Sequence, residues 1–279
     1  MKLRVAILVL LVPLVAGCGG DWMTEKGEAA YQRKEYSEAE TWFMRAADFG
    51  NPQAQYRLGE MYLNGLVTGG ADHKMAAEWF EKAATKGNAD AQESLGNLFY
   101  YGDGVPKDTE KAAEFYRKAA EMGKVNSQVR YGRMCLNGEG VGYDPAEAAR
   151  WIRKAAQHSV SEALLKNDSS EARLAASPEV ISAKYYMGVM YAEGKGLPKD
   201  AGQAAKWYED AASSGHAGAQ NNLGAMYGLG EGVPQDEEKA MYWYRKAAAQ
   251  GDPTAQQNLK SREERNALLR QVQGFGGQN

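Results

Sequence analysis

The chain is poor in the residues that do covalent and metal chemistry. It holds two cysteines and three histidines in 279 residues. The histidines, His73, His158 and His216, sit in different segments near expected helix ends or turns. A metal or catalytic cluster would need them convergent with carboxylates, and nothing marks that. No Ser-His-Asp or Cys-His arrangement stands out, and no Gly-Lys-Ser/Thr phosphate loop is present. The 36 acidic residues read as helix caps and solvated faces, with no general-acid pair singled out. Strong charge of one sign is also missing. A formal charge of −3 gives no basic field for nucleic acid, and no aromatic-plus-basic stripe supports single-strand binding. Proline is scarce at 8 residues while glycine is abundant at 32, which suits many short helices joined by glycine turns. These absences predict a protein that is not an enzyme, with no metal, no cofactor and no nucleic-acid partner.

The N-terminus is set apart from the folded part. Lys2 and Arg4 form a short positive head, followed by an apolar run over residues 5–15. That run is too short to span a bilayer comfortably. Leu14-Val15-Ala16-Gly17-Cys18 resembles the bacterial lipobox. The resemblance implies a signal peptide over 1–17, cleavage before Cys18, a diacylglycerol on its sulfur and usually an acylated amine. Two or three acyl chains would anchor the protein stably to a membrane. Gly19 in place of the aspartate that often marks inner-membrane retention weakly favours the outer membrane. Loss of Lys2 and Arg4 would take the formal charge from −3 to −5. Cys135 would then be the one remaining thiol, read as a small buried hydrophobe.

The rest of the chain repeats. Leu58-Gly59 with Tyr62 is echoed by Leu95-Gly96 with Phe99 and Tyr131-Gly132 with Cys135. It returns as Met187-Gly188 with Tyr191 and Leu223-Gly224 with Tyr227, with a last trace at Leu259. Successive spacings are 37, 36, 56, 36 and 36 residues, so one interval carries about 20 extra. A second half recurs in step. An Asp (72, 108, 144, 200, 236) leads to a large pair: Trp79-Phe80, Phe115-Tyr116, Trp151-Ile152, Trp207-Tyr208 and Trp243-Tyr244. An Ala-Ala pair follows, and in most units a glycine. Each unit reads as two helices. The apolar residue and the aromatic four positions later share one face of the first helix. A glycine inside a helix costs roughly 1 kcal/mol against alanine, so its recurrence predicts close approach of the partner helix. Gly-x-Gly turns such as Gly102-Asp103-Gly104 join the helices, and the Asp is placed to cap the second one. The large pairs are expected to fill the space between helices.

The pattern Leu-Gly…Tyr…Gly-x-Gly-Val…Asp…Trp-Tyr…Lys-Ala-Ala…Gly resembles the Sel-one-like repeat, a relative of the tetratricopeptide repeat. The resemblance implies an all-α fold, a right-handed superhelical α-solenoid of antiparallel helix pairs, whose members mostly act as adaptors. Residues 18–23 are expected to be a lipidated end and short linker. A tetratricopeptide-like pair is expected over 24–51, with helices at 24–33 and 37–49 and a Ser37/Glu40 capping box. Repeat units follow at 52–88, 89–125, 126–157, 183–216 and 217–252, then a capping helix at 253–272 and a flexible tail at 273–279. Three departures stand out. Residues 64–70 replace the short turn in the first repeat. Asp210 stands where lysine is usual. An insertion over 158–182, with short helices expected at 161–166 and 171–176 around a loop, interrupts the stack.

In related repeats the first helices line a concave face. The resemblance places Tyr56, Glu60, Asn97, Tyr100, Tyr101, Arg133, Asn137, Tyr185, Glu193 and Asn221 there. Tyrosine and arginine are residue types that carry binding hot spots. The resulting expectation is a non-enzymatic scaffold in the bacterial cell envelope, facing the periplasm. It would be lipid-anchored at Cys18 and bind protein partners along the groove. An immunity lipoprotein that neutralises a lipid-cleaving effector is the alternative, with a cell-wall-modifying enzyme behind it.

Overall fold

The computed structural model describes residues 18–158 and 168–276, with side-chain surroundings given for 20–158 and 168–269. Among the described residues there are fourteen helices and no strand. In order they are α1 Cys18–Gln32, α2 Tyr36–Asp48, α3 Pro52–Leu63, α4 His73–Ala84, α5 Ala89–Tyr101, α6 Thr109–Glu121, α7 Val125–Asn137 and α8 Pro145–Ala156. Then follow α9 Ser169–Ala175, α10 Pro178–Glu193, α11 Ala201–Ser213, α12 Ala217–Leu229, α13 Glu237–Ala249 and α14 Pro253–Gly276. The chain forms two compact units, the first ending at Asp108 and the second beginning at Thr109. In the first unit α1 packs on α2, α2 on α3, α3 on α4 and α4 on α5. In the second, α6 packs on α7, α7 on α8, α8 on α10, and so on in turn to α14. The fold class is therefore an all-α solenoid of antiparallel helix pairs.

The repeated residues do the same job in each pair. A Cβ added at Gly59 would lie 2.5 Å from the Phe80 ring, and one at Gly188 would lie 2.5 Å from the Tyr208 ring. Gly132 faces Ile152 at 2.7 Å, and Gly224 faces Tyr244 at 3.0 Å. The missing side chain is what lets the second helix lay its large residue on the first helix's backbone. Phe80, Tyr116, Ile152, Tyr208 and Tyr244 are all buried. Burying each such side chain contributes about 1.5–3 kcal/mol. The residue before it is less uniform: Trp79 and Trp151 are buried, but Trp207 and Trp243 are only half-buried. Trp207 and Trp243 pack less deeply because the slot over the glycine takes the second member of the pair.

Each turn closes with one bond. The amides of Asp72, Asp108, Asp144, Asp200 and Asp236 donate to the carbonyls of Tyr62, Phe99, Cys135, Tyr191 and Tyr227, all at 2.9 Å. The 64–70 turn, one residue longer between the bonded positions, ends on this same bond, so its extra residue leaves the pair unchanged. The carboxylates of Asp72, Asp144, Asp200 and Asp236 then accept from amides in the first turn of the next helix. Each such cap contributes about 1 kcal/mol. Between repeats a glutamine secures the end of the preceding helix. Gln55, Gln92, Gln128, Gln220 and Gln256 donate from Nε2 to the carbonyls of Ala47, Ala84, Ala120, Ala212 and Ala248, at 3.0–3.4 Å. At the fourth repeat this position is Lys184. Its side chain is 6% exposed, and the ammonium pairs with Asp210 at 3.0 Å. The two departures from the repeat pattern therefore compensate each other.

Several boundaries differ from the sequence reading. Residues 18–23 are helical rather than a linker, because Trp22 packs edge-on against Trp42 with centroids 5.4 Å apart. The Ser37/Glu40 box does not form: the cap position is Glu35, and the Ser37 carbonyl accepts from the Thr41 hydroxyl inside the helix. The insertion does not interrupt the stack, since α8 packs directly on α10. Helix α10 begins at Pro178, capped by Ser177, and Val180 and Ala183 are already core residues. The second short helix starts at Ser169, capped by Asp168, where a loop was expected. The expected 161–166 helix lies outside the described residues, as do the signal peptide at 1–17 and the chain end at 277–279. Helix α14 continues to Gly276, past the expected end at 272.

Candidate partner-binding surface

Helices of one kind sit side by side. In the first unit α1 touches α3, and in the second α7 touches α10 and α10 touches α12. The first helices of successive pairs therefore form a wall within each unit. Their N-termini are fixed by Asn51, Asn88, His216 and Asp252, whose side chains accept from the amides of Ala54, Ala91, Ala219 and Ala255.

In the first unit the wall carries an ordered polar network. The Tyr56 hydroxyl donates to Glu60 at 2.8 Å, and Arg57 reaches the other Glu60 oxygen at 2.7 Å. The Arg57 Nε bonds Glu28 on α1, and its guanidinium lies 5.8 Å from the Tyr31 ring centre. Burial and the Glu60 charge push the Tyr56 hydroxyl well above its ordinary pKa. Burial works against the Arg57 charge, but the Glu28 and Glu60 bonds outweigh it and raise its pKa. Tyr100 and Tyr101 meet edge-on at 5.0 Å, and Lys107 lies 5.8 Å from the Tyr100 ring. Tyr101 is 63% exposed, and Asn97 is half-buried.

In the second unit Arg133 is exposed and lies 5.4 Å from the Tyr186 ring. Tyr185 is stacked on His216, with centroids 4.4 Å apart and planes at 16°. Burial raises the Tyr185 and Tyr208 hydroxyl pKa values, and an Asn222 hydrogen bond to each opposes the rise. Burial also lowers the His216 pKa, which keeps its Nδ1 free to accept the Ala219 amide. Asn221 accepts from Asn258 at 3.0 Å. Glu193 pairs with Lys195 at 2.6 Å, and Asn137 is exposed. Beside Asn222 lies a cleft of about 440 Å³ lined by Ala192, Tyr208, Ala225 and Met226, with Lys199 and Glu231 among its charged walls.

The structure thus joins Tyr56 to Glu60, and Tyr100 to Tyr101, as neighbours. It draws Tyr185 and Asn221 into packing with His216 and Asn258. The sequence reading missed Arg57, Tyr186 and Asn222, which stand one position before Leu58, Met187 and Leu223. The repeat register could have flagged this polar column. It also missed Glu28. The signal there was Gly27, which faces Phe43 at 2.5 Å as Gly59 faces Phe80, and so sets Glu28 level with Glu60.

Among the described residues no group of three or more His, Cys, Asp or Glu could hold a metal ion. His73 is instead paired with Asp103, and His158 with Glu171. Cys135 is a buried free thiol, and burial raises its pKa, so it is a packing residue. No helix among the described residues is long and apolar enough to cross a membrane.

The sequence matches the Sel1 repeat family over residues 52–88, 89–124, 125–160, 181–216 and 217–252. A Sel1 repeat protein from Oxalobacter formigenes is 31% identical, with a TM-score of 0.70 over 83% of this chain and 87% of that one. The protein c5321, a protective antigen of uropathogenic Escherichia coli strains with the SLR fold, is 30% identical. That match has a TM-score of 0.54 over 86% of this chain and 56% of the other. The immunity protein Pa5087 of Pseudomonas aeruginosa is 24% identical over 73% of this chain and 67% of its own, with a TM-score of 0.39. That similarity is too low to inform the partner. No curated protein matches the sequence.

Proposed function

The chain belongs to the Sel1 repeat family, a protein-interaction scaffold by architecture, and on that footing we propose that it is a membrane-tethered adaptor of the bacterial envelope. The observation that carries this reading is the surface of the first helices. Tyr101 stands exposed in the first unit, where Tyr56 and Arg57 are held by fixed contacts, and Arg133 stands exposed in the second, against the Tyr186 ring. Contact groups held in place before binding lose less conformational freedom when a partner arrives. The cleft beside Asn222, apolar at Ala225 and Met226 and charged at Lys199 and Glu231, is of a size to take a partner's side chain. A protein partner fits this chemistry, since the cleft sets an apolar floor beside single charges of both signs. The tether is the acylated Cys18, and the repeats face the periplasm, with the outer membrane favoured by Gly19.

The test is a photo-crosslinking residue placed at 101 or 133 in cells. A discrete protein adduct from either position supports the adaptor reading. Exposure of both positions with no protein adduct sinks it. For the tether, Cys18→Ala should move the protein from the membrane to the soluble fraction. An unchanged distribution would refute acylation.

A further inference from the structure

The N-terminal helix pair carries exposed aromatic surface that the partner wall does not use. Trp22 is 50% exposed and Phe49 64% exposed. Lone exposed apolar residues are ordinary; their position here is not. Phe49 caps the C-terminus of α2, and a Cβ added at Gly20, in the first turn of α1, would lie 3.8 Å from the Phe49 Cβ. Phe49 therefore borders the start of α1, whose first residue is Cys18. Trp22 follows one helical turn later, about 6 Å along the axis. Its ring meets Trp42 edge-on, Lys26 lies 5.8 Å from the Trp22 ring, and Arg45 lies 5.1 Å from Trp42. Asp21, the acid nearest the start, is engaged by the Asn51 amide at 2.9 Å.

Aromatic bodies with lysine and arginine alongside are what sit at the headgroup level of a bilayer, where one end of a side chain is apolar and the other wet. We propose that this end of the α1–α2 hairpin, with Trp22 and Phe49 foremost, is a seat for the phospholipid interface. It rests on the acylation of Cys18 proposed above. Acyl chains at one residue hold the protein at the membrane but leave its tilt open. Two aromatic contacts beside the attachment point fix which end of the hairpin faces the lipid.

The test uses the mature lipoprotein purified from membranes in a Cys135→Ala background, where the acylated Cys18 offers no free thiol. Trp22→Cys, Phe49→Cys and, as a control on the 64–70 turn, Thr68→Cys are each labelled with nitrobenzoxadiazole. They are reconstituted into vesicles of phosphatidylethanolamine and phosphatidylglycerol. Reduction of the fluorophore by aqueous dithionite should be at least about fivefold slower at 22 and 49 than at 68. In the unacylated Cys18→Ala protein all three should react alike. Rapid reduction at 22 and 49 in protein that floats with the vesicles would overturn the seat while leaving the anchor intact. Slow reduction in the Cys18→Ala protein would also overturn it, because a second copy or another protein would be covering the patch. Failure of the Cys18 protein to float would overturn the anchor and the seat together.

Discussion

Replacing Gly188 by alanine isolates the packing argument on which every repeat depends. The new methyl would come 2.5 Å from two atoms of the Tyr208 ring and 3.0 Å from a third. That ring is 4% exposed and is held by Asn222, so it cannot swing aside. Relief requires α11 to lift from α10. Alanine gains about 1 kcal/mol of helix propensity over glycine. Overpacking costs about 1–3 kcal/mol, and here the obstacle is a fixed ring, which puts it at the upper end. The net expectation is a loss of about 1–2 kcal/mol, a fall in melting temperature of roughly 2–8 °C at this chain length. Gly202→Ala is the matched control. It lies in the first turn of α11, and its nearest neighbour would be the Asp200 carboxylate at 3.4 Å. It should be neutral or stabilise by up to about 1 kcal/mol. Urea unfolding followed by circular dichroism reads both. Adding Tyr208→Leu to Gly188→Ala should cost less than the two changes summed, because the clash is shared. A Gly188→Ala protein as stable as the parent, or a Gly202→Ala protein equally damaged, would refute the close-approach reasoning.

Gly196→Ala should be worse than Gly188→Ala, since its φ is +70° and the Cβ would fall 1.9 Å from the Pro145 carbonyl oxygen; soluble yield and urea midpoint should both drop by the equivalent of more than about 3 kcal/mol. Asp210→Lys, which sets a second cation beside the buried Lys184 ammonium, should destabilise by about 1 kcal/mol, the value being held down by the half-exposed position of Asp210. Lys184→Gln added to it restores the residue types of the other repeats and should recover most of the loss in the same urea assay; no recovery would mean the two positions are not coupled. His216 has a folded-state pKa below the ordinary 6.5, so its contribution is whole above that value and drains away as pH falls from about 6.5 through the folded pKa. His216→Asn keeps an acceptor for the Ala219 amide and should flatten that part of the stability–pH curve; an unchanged curve would show that another group carries it.

Much was legible because each repeat is solved by the same local rules. Gly102, Gly138, Gly194 and Gly230 all have φ near +70°, a conformation that a side chain resists, so their recurrence named the turns. The Asp caps and the Leu-Gly register followed from which amides a helix leaves unpaired and which face it must bury. What failed were the non-repeating edges. The first helix turn at 18–23 shows no periodic apolar pattern and is ordered by Trp22 against Trp42, a contact twenty residues away. The insertion looked like a break because one interval is longer, yet α8 still meets α10.

The sequence alone determined the helices, their pairing and the glycine contacts, because these depend on spacing within some 36 residues and on backbone freedom that only glycine has. The tertiary structure decided which polar side chains meet. Glu28 with Arg57, Lys184 with Asp210 and Tyr185 with His216 lie 26 to 31 positions apart in the chain, on different helices. Their partnership is set by how packed helices are laid on one another, within one pair for Lys184 and Asp210 and between successive pairs for the other two, and that offset is not written in the repeat motif.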